Sequence, residues 1–256
     1  MTHEIVPVPC LSDNFAYLLR NGESGRVALV DAPEAEPVLA ALDERGWSLS
    51  EVWLTHHHPD HIDGVPGLKE RHAFTTYGAA QDAHRLPPLD QALETGTTAR
   101  MAGLDCHVID VPGHTVGHVA FHVPDAKALF SADSLMALGC GRLFEGTPDQ
   151  MWASLSAMMA LPDETVVYNG HDYLDTNLRF ARSIEKRNEA LDARSDRIDS
   201  WRARDVPMGH ETLAVEKATN PFLRAGLDEV KQALSMGGRP DAEVFAEIRR
   251  RRDDFS

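Results

Sequence analysis

The sequence predicts an α/β protein followed by a helical region, and two observations support that prediction. In the first two thirds, short apolar or β-branched runs alternate with Gly, Pro and Asp, as expected for strands joined by turns and helices. From about residue 173 the pattern changes, because residues 175–204 contain neither Pro nor Gly and their apolar side chains recur at helical spacing. We therefore predict an α/β domain over residues 1–172 and a helical domain over residues 173–256.

The predicted strands are short apolar runs bounded by turn-forming residues. They are Val27–Asp31, Glu51–Thr55, His107–Val111, Val119–Val123, Ala128–Phe130 and Thr165–Tyr168. Longer segments between some of these strands have the spacing of amphipathic helices and predict helices at Glu36–Arg45 and Met151–Leu161. In the second region the same spacing predicts one long helix and three shorter ones, with Pro and Gly at the joints. These helices are Asp175–Arg204, Glu211–Lys217, Leu227–Leu234 and Asp241–Arg252.

Composition excludes several classes of protein. Hydrophobic residues make up 43% of the chain and charged residues 25%, which suits a globular core, and no apolar run approaches the roughly 18 residues of a membrane span. The formal net charge of −15 argues against a nucleic-acid partner, since phosphate binding needs a basic surface. There is no basic start followed by an apolar stretch, and the three cysteines form no CxxC pair. We therefore expect a reduced, cytoplasmic protein without a membrane partner.

The strongest local signal is the histidine-rich run Thr55–His61, directly after a predicted strand. In an extended stretch alternate side chains share a face, so His56 and His58 can reach one metal ion together. After the bend at the intervening proline, Asp60 and His61 can reach a second ion. The alternative is a solubilising histidine-rich loop without a ligand function.

Three more ligand-type residues each follow an apolar, strand-like run, and strand ends that converge on one sheet edge are where α/β folds build sites. They are His114, Asp133 and His171. We predict two divalent ions per chain, zinc, with iron or manganese as the alternatives. One ion would take His56, His58 and His114, the other Asp60, His61 and His171, with Asp133 and a hydroxide bridging both. The two carboxylates, Asp60 and Asp133, would then act with the bridging hydroxide, a nucleophile suited to carbonyl attack.

Several sequence motifs point to one particular protein family. They are Asp13-Asn14-Phe15, THHHPDHIDG, PGHTVGH, GCGRLFEGT from Gly139, GHDYLDTNLRFA from Gly170, NPFLR from Asn220 and the tail RRRRDDF. Over nearly its whole length the chain resembles the glyoxalase II (hydroxyacylglutathione hydrolase) family of the metallo-β-lactamase superfamily. The resemblance implies an αββα sandwich with metals at one edge, catalytic over residues 1–172, and a helical substrate-binding domain over residues 173–256. The family's metal positions fall on the seven ligands named above.

The same resemblance implies the reaction: hydrolysis of S-D-lactoylglutathione to glutathione and D-lactate, the second step of methylglyoxal detoxification, by a monomer. The first alternative is an iron-dependent persulfide dioxygenase of the same superfamily, which would not need the complete second set of ligands. A β-lactamase is disfavoured by Asp133, where several such enzymes have Cys, and an RNA-processing relative by the net charge. A non-catalytic metal-binding protein would not be expected to keep all seven ligands.

The family's glutathione contacts fall on Arg142, Phe144, Tyr173, Arg249 and Arg252. Independently of the family, Arg249 and Arg252 lie three apart on a predicted helix and hence on one face, where two guanidiniums could hold a carboxylate. The alternative is a solvated charge run at a helix C-terminus. The family usually has Lys at positions 142 and 252, Tyr at 144, Thr-Gly before the aspartate at 133, and Cys at 169.

Four further residues receive supporting roles. We expect Asp31 to hold a ligand histidine, His118 to make a buried hydrogen bond and His57 to point away from the metals and cap backbone groups. Cys140, between two glycines, is interpreted as a packing residue, since nothing near it in the sequence would activate a thiolate.

Phe144→Tyr should lower KM for S-D-lactoylglutathione, because the ring gains a hydroxyl that can donate to a glutathione carboxylate. One hydrogen bond is worth about 0.5–1.5 kcal/mol, or roughly a two- to twelve-fold change in KM. The gain should be larger in an Arg252→Ala background, where the carboxylate has lost a partner. Steady-state kinetics on the four-enzyme cycle measures this. An unchanged KM in both backgrounds would mean that position 144 does not face the carboxylate.

Overall fold

The structure, a computed structural model, describes residues 3–204 and 210–255, which group into two compact units. The first, called the sheet unit, comprises the described residues of Met1–Asp110 together with Gly117–Ala132 and Tyr168–His171. The second, the helical unit, comprises Val111–Val116, Asp133–Val167 and the described residues of Asp172–Ser256. The division into domains at residue 172 remains a prediction from the sequence. No helix in the described residues is both long and apolar enough to cross a membrane.

The described residues form strands and helices that are numbered in chain order. The strands are β1 (Glu4–Cys10), β2 (Asn14–Arg20), β3 (Val27–Val30), β4 (Leu49–Leu54), β5 (Thr75–Ala79), β6 (Gln91–Leu93), β7 (Thr98–Met101), β8 (Leu104–Asp110), β9 (Val119–Val123), β10 (Ala128–Ala132), β11 (Leu135–Met136), β12 (Gly139–Cys140) and β13 (Val166–Asn169). The helices are α1 (Ala35–Arg45), α2 (Pro59–Ile62), α3 (Val65–Arg71), α4 (Pro148–Met159), α5 (Leu174–Ile184), α6 (Glu189–Arg202), α7 (Leu213–Thr219), α8 (Asp228–Ala233) and α9 (Asp241–Asp253).

The strands form two main sheets. The first has the order β1-β2-β3-β4-β5-β6, antiparallel at β1–β2–β3 and parallel from β3 to β6. The second has the order β13-β10-β9-β8-β7, with antiparallel pairing from β7 to β10. In the helical unit, β11 and β12 form a small antiparallel hairpin. The parallel strands of the first sheet end on one edge, and the histidine-rich run begins there, after β4.

Each face of the first sheet has its own core. Alternate residues of β1 to β4 pack with α1 and α3, around Leu18, Leu29 and Leu42, all fully buried. The opposite face is aromatic: Trp53 meets Phe121 of the second sheet edge-on at 5.3 Å between ring centroids. This helix–sheet–sheet layering follows from the period of two along each strand. The α/β class and the helical C-terminal region predicted from the sequence are confirmed.

The prediction of a single long helix over residues 175–204 is wrong, because α5 ends at Ile184 and α6 begins at Glu189. The Asn188 side chain accepts a hydrogen bond from the Leu191 amide at 3.1 Å and caps the second helix. Between the helices, Glu185 is extended and its carboxylate binds Arg224 with contacts of 2.7 and 3.0 Å. The sequence pattern did not reveal the break, because α5 and α6 each bury an apolar face in the same core cluster.

A buried ion pair joins two helices of the helical unit. Arg194 of α6 donates to Glu216 of α7 and to the Thr219 hydroxyl at 2.7 Å, and the pair is 0% and 1% exposed. The other Glu216 oxygen accepts from the amide of Leu138 at 3.1 Å and from the Asn220 side chain at 3.2 Å. The carboxylate therefore has several donors, which is what a buried charge requires.

Glu216→Ala should lower the free energy of unfolding by about 3–5 kcal/mol, because Arg194 would be left as an uncompensated buried charge. Urea denaturation followed by circular dichroism measures the loss. Glu243→Ala is the matched control, since Glu243 pairs with Arg239 at 2.8 Å on the surface of the same unit. The control should cost less than about 1 kcal/mol. Equal losses in the two variants would contradict the importance given to the buried pair.

Candidate metal centre

The histidine-rich run places its first ligands by local backbone geometry. The chain leaves β4 in an extended conformation and continues so to His58, after which Pro59 begins α2. His56 and His58 therefore project to the same side, with His56 Nε2 and His58 Nδ1 3.2 Å apart. His56 is fully buried. The pairing predicted from the alternation of side chains is present in the structure.

The second predicted ligand group lies within the same unit. His61 Nε2 and His171 Nε2 are 3.4 Å apart, and an oxygen of Asp60 lies 3.5 Å from His171 Nε2 and 4.0 Å from His61 Nε2. One ligand atom from each of the three residues falls within 4.8 Å of the others. These residues come from α2 and from the end of β13, more than 100 positions apart in the chain.

Carboxylates hold the outer nitrogens of these imidazoles. An Asp31 oxygen lies 2.8 Å from His61 Nδ1, and an Asp13 oxygen lies 2.8 Å from His171 Nδ1. Asp31 also accepts from the backbone amide of Thr55 at 2.9 Å and from its hydroxyl at 2.8 Å. With Nδ1 engaged, both Nε2 atoms face one another, which is how metal-ligating histidines are oriented. The donor set therefore fits a divalent metal ion.

Asp31 bonds to His61, a predicted ligand, as expected, whereas the contact of Asp13 with His171 was missed from the sequence. Asp13 follows β1 in a turn, and nothing in its local pattern indicates a histidine 158 positions away. Its neighbour Asn14 donates from Nδ2 to a carboxylate oxygen of Asp60 at 3.0 Å. The string Asp13-Asn14-Phe15 was a family motif without an assigned role, and the structure shows what its first two residues contact.

Asn169, where the family usually has Cys, supports the loop of His171. Its side-chain amide donates to the His171 carbonyl at 2.7 Å, and its own carbonyl accepts from the Tyr17 hydroxyl at 2.6 Å. A thiol is too weak a donor to hold a backbone carbonyl in this way. In this chain the Asn169 side chain therefore ties the end of β13 to the loop that carries His171.

The helical unit contains the other two predicted ligands. His114 Nε2 lies 3.3 Å from an oxygen of Asp133, and both residues are buried. His114 Nδ1 lies 2.8 Å from the Arg142 carbonyl, which fixes the ring. Gly141 allows this packing, because a Cβ there would lie 1.9 Å from the Asp133 carbonyl oxygen. Glycine at position 141 is thus required by its close approach to both predicted ligands.

Three of the predicted substrate contacts are exposed in the helical unit. Phe144 is 61% exposed and presents its edge to the His114 ring, with 5.3 Å between centroids. Tyr173 is 39% exposed at the start of α5. Arg142 is largely solvent-accessible, with its Nε 3.6 Å from a carboxylate oxygen of Asp253. Their assignment to the substrate remains a prediction.

The two arginines of the tail helix differ from a solvated charge run. Arg249 is 7% exposed and donates to the Cys140 carbonyl at 2.9 Å and to Asp253 at 2.8 Å. Arg252 donates to the Asn177 side chain at 3.3 Å. The alternative interpretation, a solvated run of charges, holds instead for Arg250 and Arg251, which bind Glu247 on the surface. The helical spacing therefore separates the four consecutive arginines into an inner and an outer pair.

Cys140 is a packing residue, as expected. Burial raises the pKa of its thiol to about 11, and the neighbouring Arg249 only partly opposes this effect. The thiol is therefore protonated at neutral pH and is a poor nucleophile.

Two histidines next to the ligands depart from, or extend, their expected roles. His57 Nδ1 bonds to the carboxylate of Asp82 at 3.0 Å, a partner that the sequence did not predict, and its ring lies 5.0 Å from that of His58. His118 is fully buried and stacks on the His56 ring at 4.5 Å with an interplanar angle of 15°. The buried hydrogen bond expected of His118 stays a prediction.

Comparison with known proteins gives consistent results over the whole chain. Residues 12–171 match the metallo-beta-lactamase superfamily, and residues 172–255 match the hydroxyacylglutathione hydrolase C-terminus. A hydroxyacylglutathione hydrolase of Ruegeria pomeroyi is 57% identical over 255 residues, covering all of both chains. Among solved structures, the B3 metallo-beta-lactamase BLEG-1 has a TM-score of 0.67 at 21% identity, covering 86% of this chain and 99% of its own. TTHA1623 in a di-iron-bound form has a TM-score of 0.62 at 28% identity, covering 86% and 100%.

Asp31→Ala should weaken metal binding roughly 10- to 100-fold, because His61 would lose the carboxylate that orients its ring. Competition between the protein and a chromophoric chelator for zinc measures the affinity. Asp43→Ala is the control, since Asp43 is exposed and pairs with Arg71 on the surface of the same unit. If the two variants bind zinc equally well, Asp31 does not support a ligand.

Proposed function

The chain belongs to the hydroxyacylglutathione hydrolase family of the metallo-β-lactamase superfamily, and on that premise we propose how its residues hydrolyse S-D-lactoylglutathione to glutathione and D-lactate. The observation that carries this function is the 57% sequence identity with a named hydrolase over the full length of both chains. The imidazoles of the sheet unit that are oriented by carboxylates support it. The direct test is release of glutathione from the thioester by the purified, metallated chain.

We propose that two divalent ions, zinc in the first instance, are held by the seven predicted ligands. One ion would be held by His56, His58 and His114 and the other by Asp60, His61 and His171, with Asp133 as the proposed ligand of both. When bound, such ions polarise the thioester carbonyl and lower the pKa of water to near neutrality. The di-iron form of TTHA1623 supports a binuclear site with iron as the alternative metal. Metal analysis on the active preparation distinguishes these metals.

The carboxylates Asp60 and Asp133 are the proposed catalytic residues of the chain. The Asn14 amide fixes the orientation of Asp60, and Asp133 lies against the His114 ring. In the reaction a water oxygen bonds to the thioester carbon and the protons of the water pass to solvent, while the C–S bond breaks and sulfur leaves with the electron pair. A thiol has a pKa of about 8.5, so the thiolate is a competent leaving group and needs no acid residue to protonate it.

Three guanidiniums of the helical unit supply the attraction for an anionic substrate. Burial, and then the nearby charge of Arg249, lower the pKa of Arg252, and Arg142 adds to this repulsion. A carboxylate of glutathione would relieve the repulsion by charge-assisted hydrogen bonds. This local positive charge is needed because the chain as a whole carries a formal charge of −15. The monomeric state and cytoplasmic location remain predictions from the sequence.

The alternative reaction, a persulfide dioxygenase working through one iron, is less well supported. Such an enzyme has no use for the Asp60, His61 and His171 group, which the structure brings together in one unit. Oxygen consumption with glutathione persulfide, measured beside thioester hydrolysis on the same preparation, decides between them. Rapid oxygen uptake without hydrolysis would favour the dioxygenase.

Asp133→Ala should abolish binding of the metal pair and most activity, because the proposed bridge between the ions is removed. Metal content by plasma emission spectrometry and thioester hydrolysis are measured on the same sample. We expect two equivalents of metal in the unaltered chain and fewer than two in the variant. Full activity with a single equivalent of metal would refute the binuclear assignment.

Arg252→Ala and Arg249→Ala should each raise KM more than they lower kcat, as expected for groups that bind ground and transition states equally. A lost charged hydrogen bond costs about 1.5–3 kcal/mol, so KM should rise roughly 10- to 150-fold. Arg250→Ala is the matched control on the outer side of the same helix and should leave KM unchanged. An unchanged KM in both inner variants would make this part of the tail purely structural.

A further inference from the structure

A buried carboxylate lies behind the histidine-rich run and bonds to its middle histidine. Asp82, in the single-turn helix Ala80–Asp82 after β5, is 0% exposed. One of its oxygens lies 3.0 Å from His57 Nδ1, and the other accepts from Arg85 Nε at 2.6 Å. A buried carboxylate is costly unless charged or strongly polar donors satisfy it. Both oxygens of Asp82 are therefore engaged, one with a cation and one with a histidine that is not a proposed ligand.

His57 is placed so that its anchoring determines where its neighbours point. It stands between His56 and His58 in the extended stretch, and its ring lies 5.0 Å from the His58 ring in an edge-to-face contact. A ring held at Nδ1 fixes the backbone of residue 57, and that backbone sets the direction of both adjacent side chains. His57 therefore connects Asp82 mechanically to two proposed ligands without being a ligand itself.

Asp82 also contacts the second segment that packs against the run. A Cβ at Gly117 would lie 2.5 Å from Asp82 Cγ and 2.7 Å from an Asp82 oxygen, so only glycine fits there. From Gly117 the chain continues to His118, which stacks on His56, and to Val119, whose amide donates to the Thr55 carbonyl at 3.0 Å. Asp82 thus touches both segments that hold His56 in place.

We propose that Asp82 is a positioning residue for the His56–His58 arm of the metal centre, acting through His57 and against Gly117. The inference rests on the proposed metal ligands. It differs from the parts played by Asp13 and Asp31, which bond directly to ligand nitrogens, because Asp82 sets the path of the backbone that carries two ligands. A neutral amide of the same size keeps the volume but loses the charge that binds His57 and Arg85.

The test is a competition titration with Zn²⁺ on the metal-free full chain. Asp82→Asn should weaken one of the two zinc equivalents about 10- to 100-fold, the range found when groups that orient ligands are removed. KM for S-D-lactoylglutathione should not change, and kcat should recover when zinc is saturating. Asp90→Asn is the matched control, because Asp90 follows in the same connecting segment and its carboxylate accepts from the Thr76 amide at 2.8 Å. The control should bind both zinc ions as the unaltered chain does.

His57→Gln is the second test variant, since it removes the imidazole contact with Asp82 while leaving the Asp82–Arg85 pair in place. It should weaken the same zinc equivalent, and the double variant should be no weaker than the worse single variant, because both changes remove one interaction. If Asp82→Asn does not fold by circular dichroism, His57→Gln alone decides the question.

Two results would overturn the inference. One is a lower melting temperature of metal-free Asp82→Asn with both zinc affinities unchanged, which would make Asp82 a purely structural residue. The other is additive losses in the double variant, which would separate Asp82 from His57. Failure of the unaltered chain to bind two zinc ions is a different outcome and would refute the proposed metal ligands themselves.

Discussion

Two pairs of imidazole nitrogens approach within 3.2 and 3.4 Å in the sheet unit, and the surrounding structure makes that approach tolerable. The Nδ1 atoms of His61 and His171 are held by the carboxylates of Asp31 and Asp13, so their two Nε2 atoms present lone pairs to one another unless a cation lies between them. In the other pair His56 Nε2 meets His58 Nδ1, and one neutral ring can donate to the other there. The end of β4, the start of α2 and the end of β13 are placed to meet this one requirement.

Much of the fold and of the candidate site was predictable from the local sequence pattern. The reason is that the period of two along strands and the period of about 3.6 along helices are both clear in this sequence. Strand β9 was predicted with the right bounds, and α1 within one residue at its start, because alternation or helical spacing coincided there with turn residues. Four of the proposed ligands are close in sequence, so their grouping needed only the geometry of one short segment: His56, His58, Asp60 and His61. His171 could be included because it follows an apolar strand-like run and the family motif marks it.

What local pattern missed depends on contacts between distant residues. β1 was not predicted, since its two prolines and its partly exposed face hide the alternation, and its place is set by pairing with β2. The break between α5 and α6 depends on Arg224, which binds Glu185 from 39 positions away. Asp13 and Asp82 likewise gain their roles only from His171 and His57. Periodicity reports which face of an element is buried, but it cannot report which polar side chain will meet which.

The backbone itself is strained where the site is built. Asp31 has φ of 57° and Ala132 has φ of 40°, both in the left-handed region that glycine occupies at no cost. Asp31 turns at the end of β3 so that one carboxylate serves both Thr55 and His61. Ala132 stands directly before Asp133, where the family usually has glycine, and its carbonyl accepts from the Gly170 amide at 3.1 Å. Residues held in such conformations cost about 1–3 kcal/mol and persist only where the surroundings determine them. The family's glycine is therefore explained by the backbone at this turn, and this chain accepts strain in the residue before Asp133, the proposed bridging carboxylate.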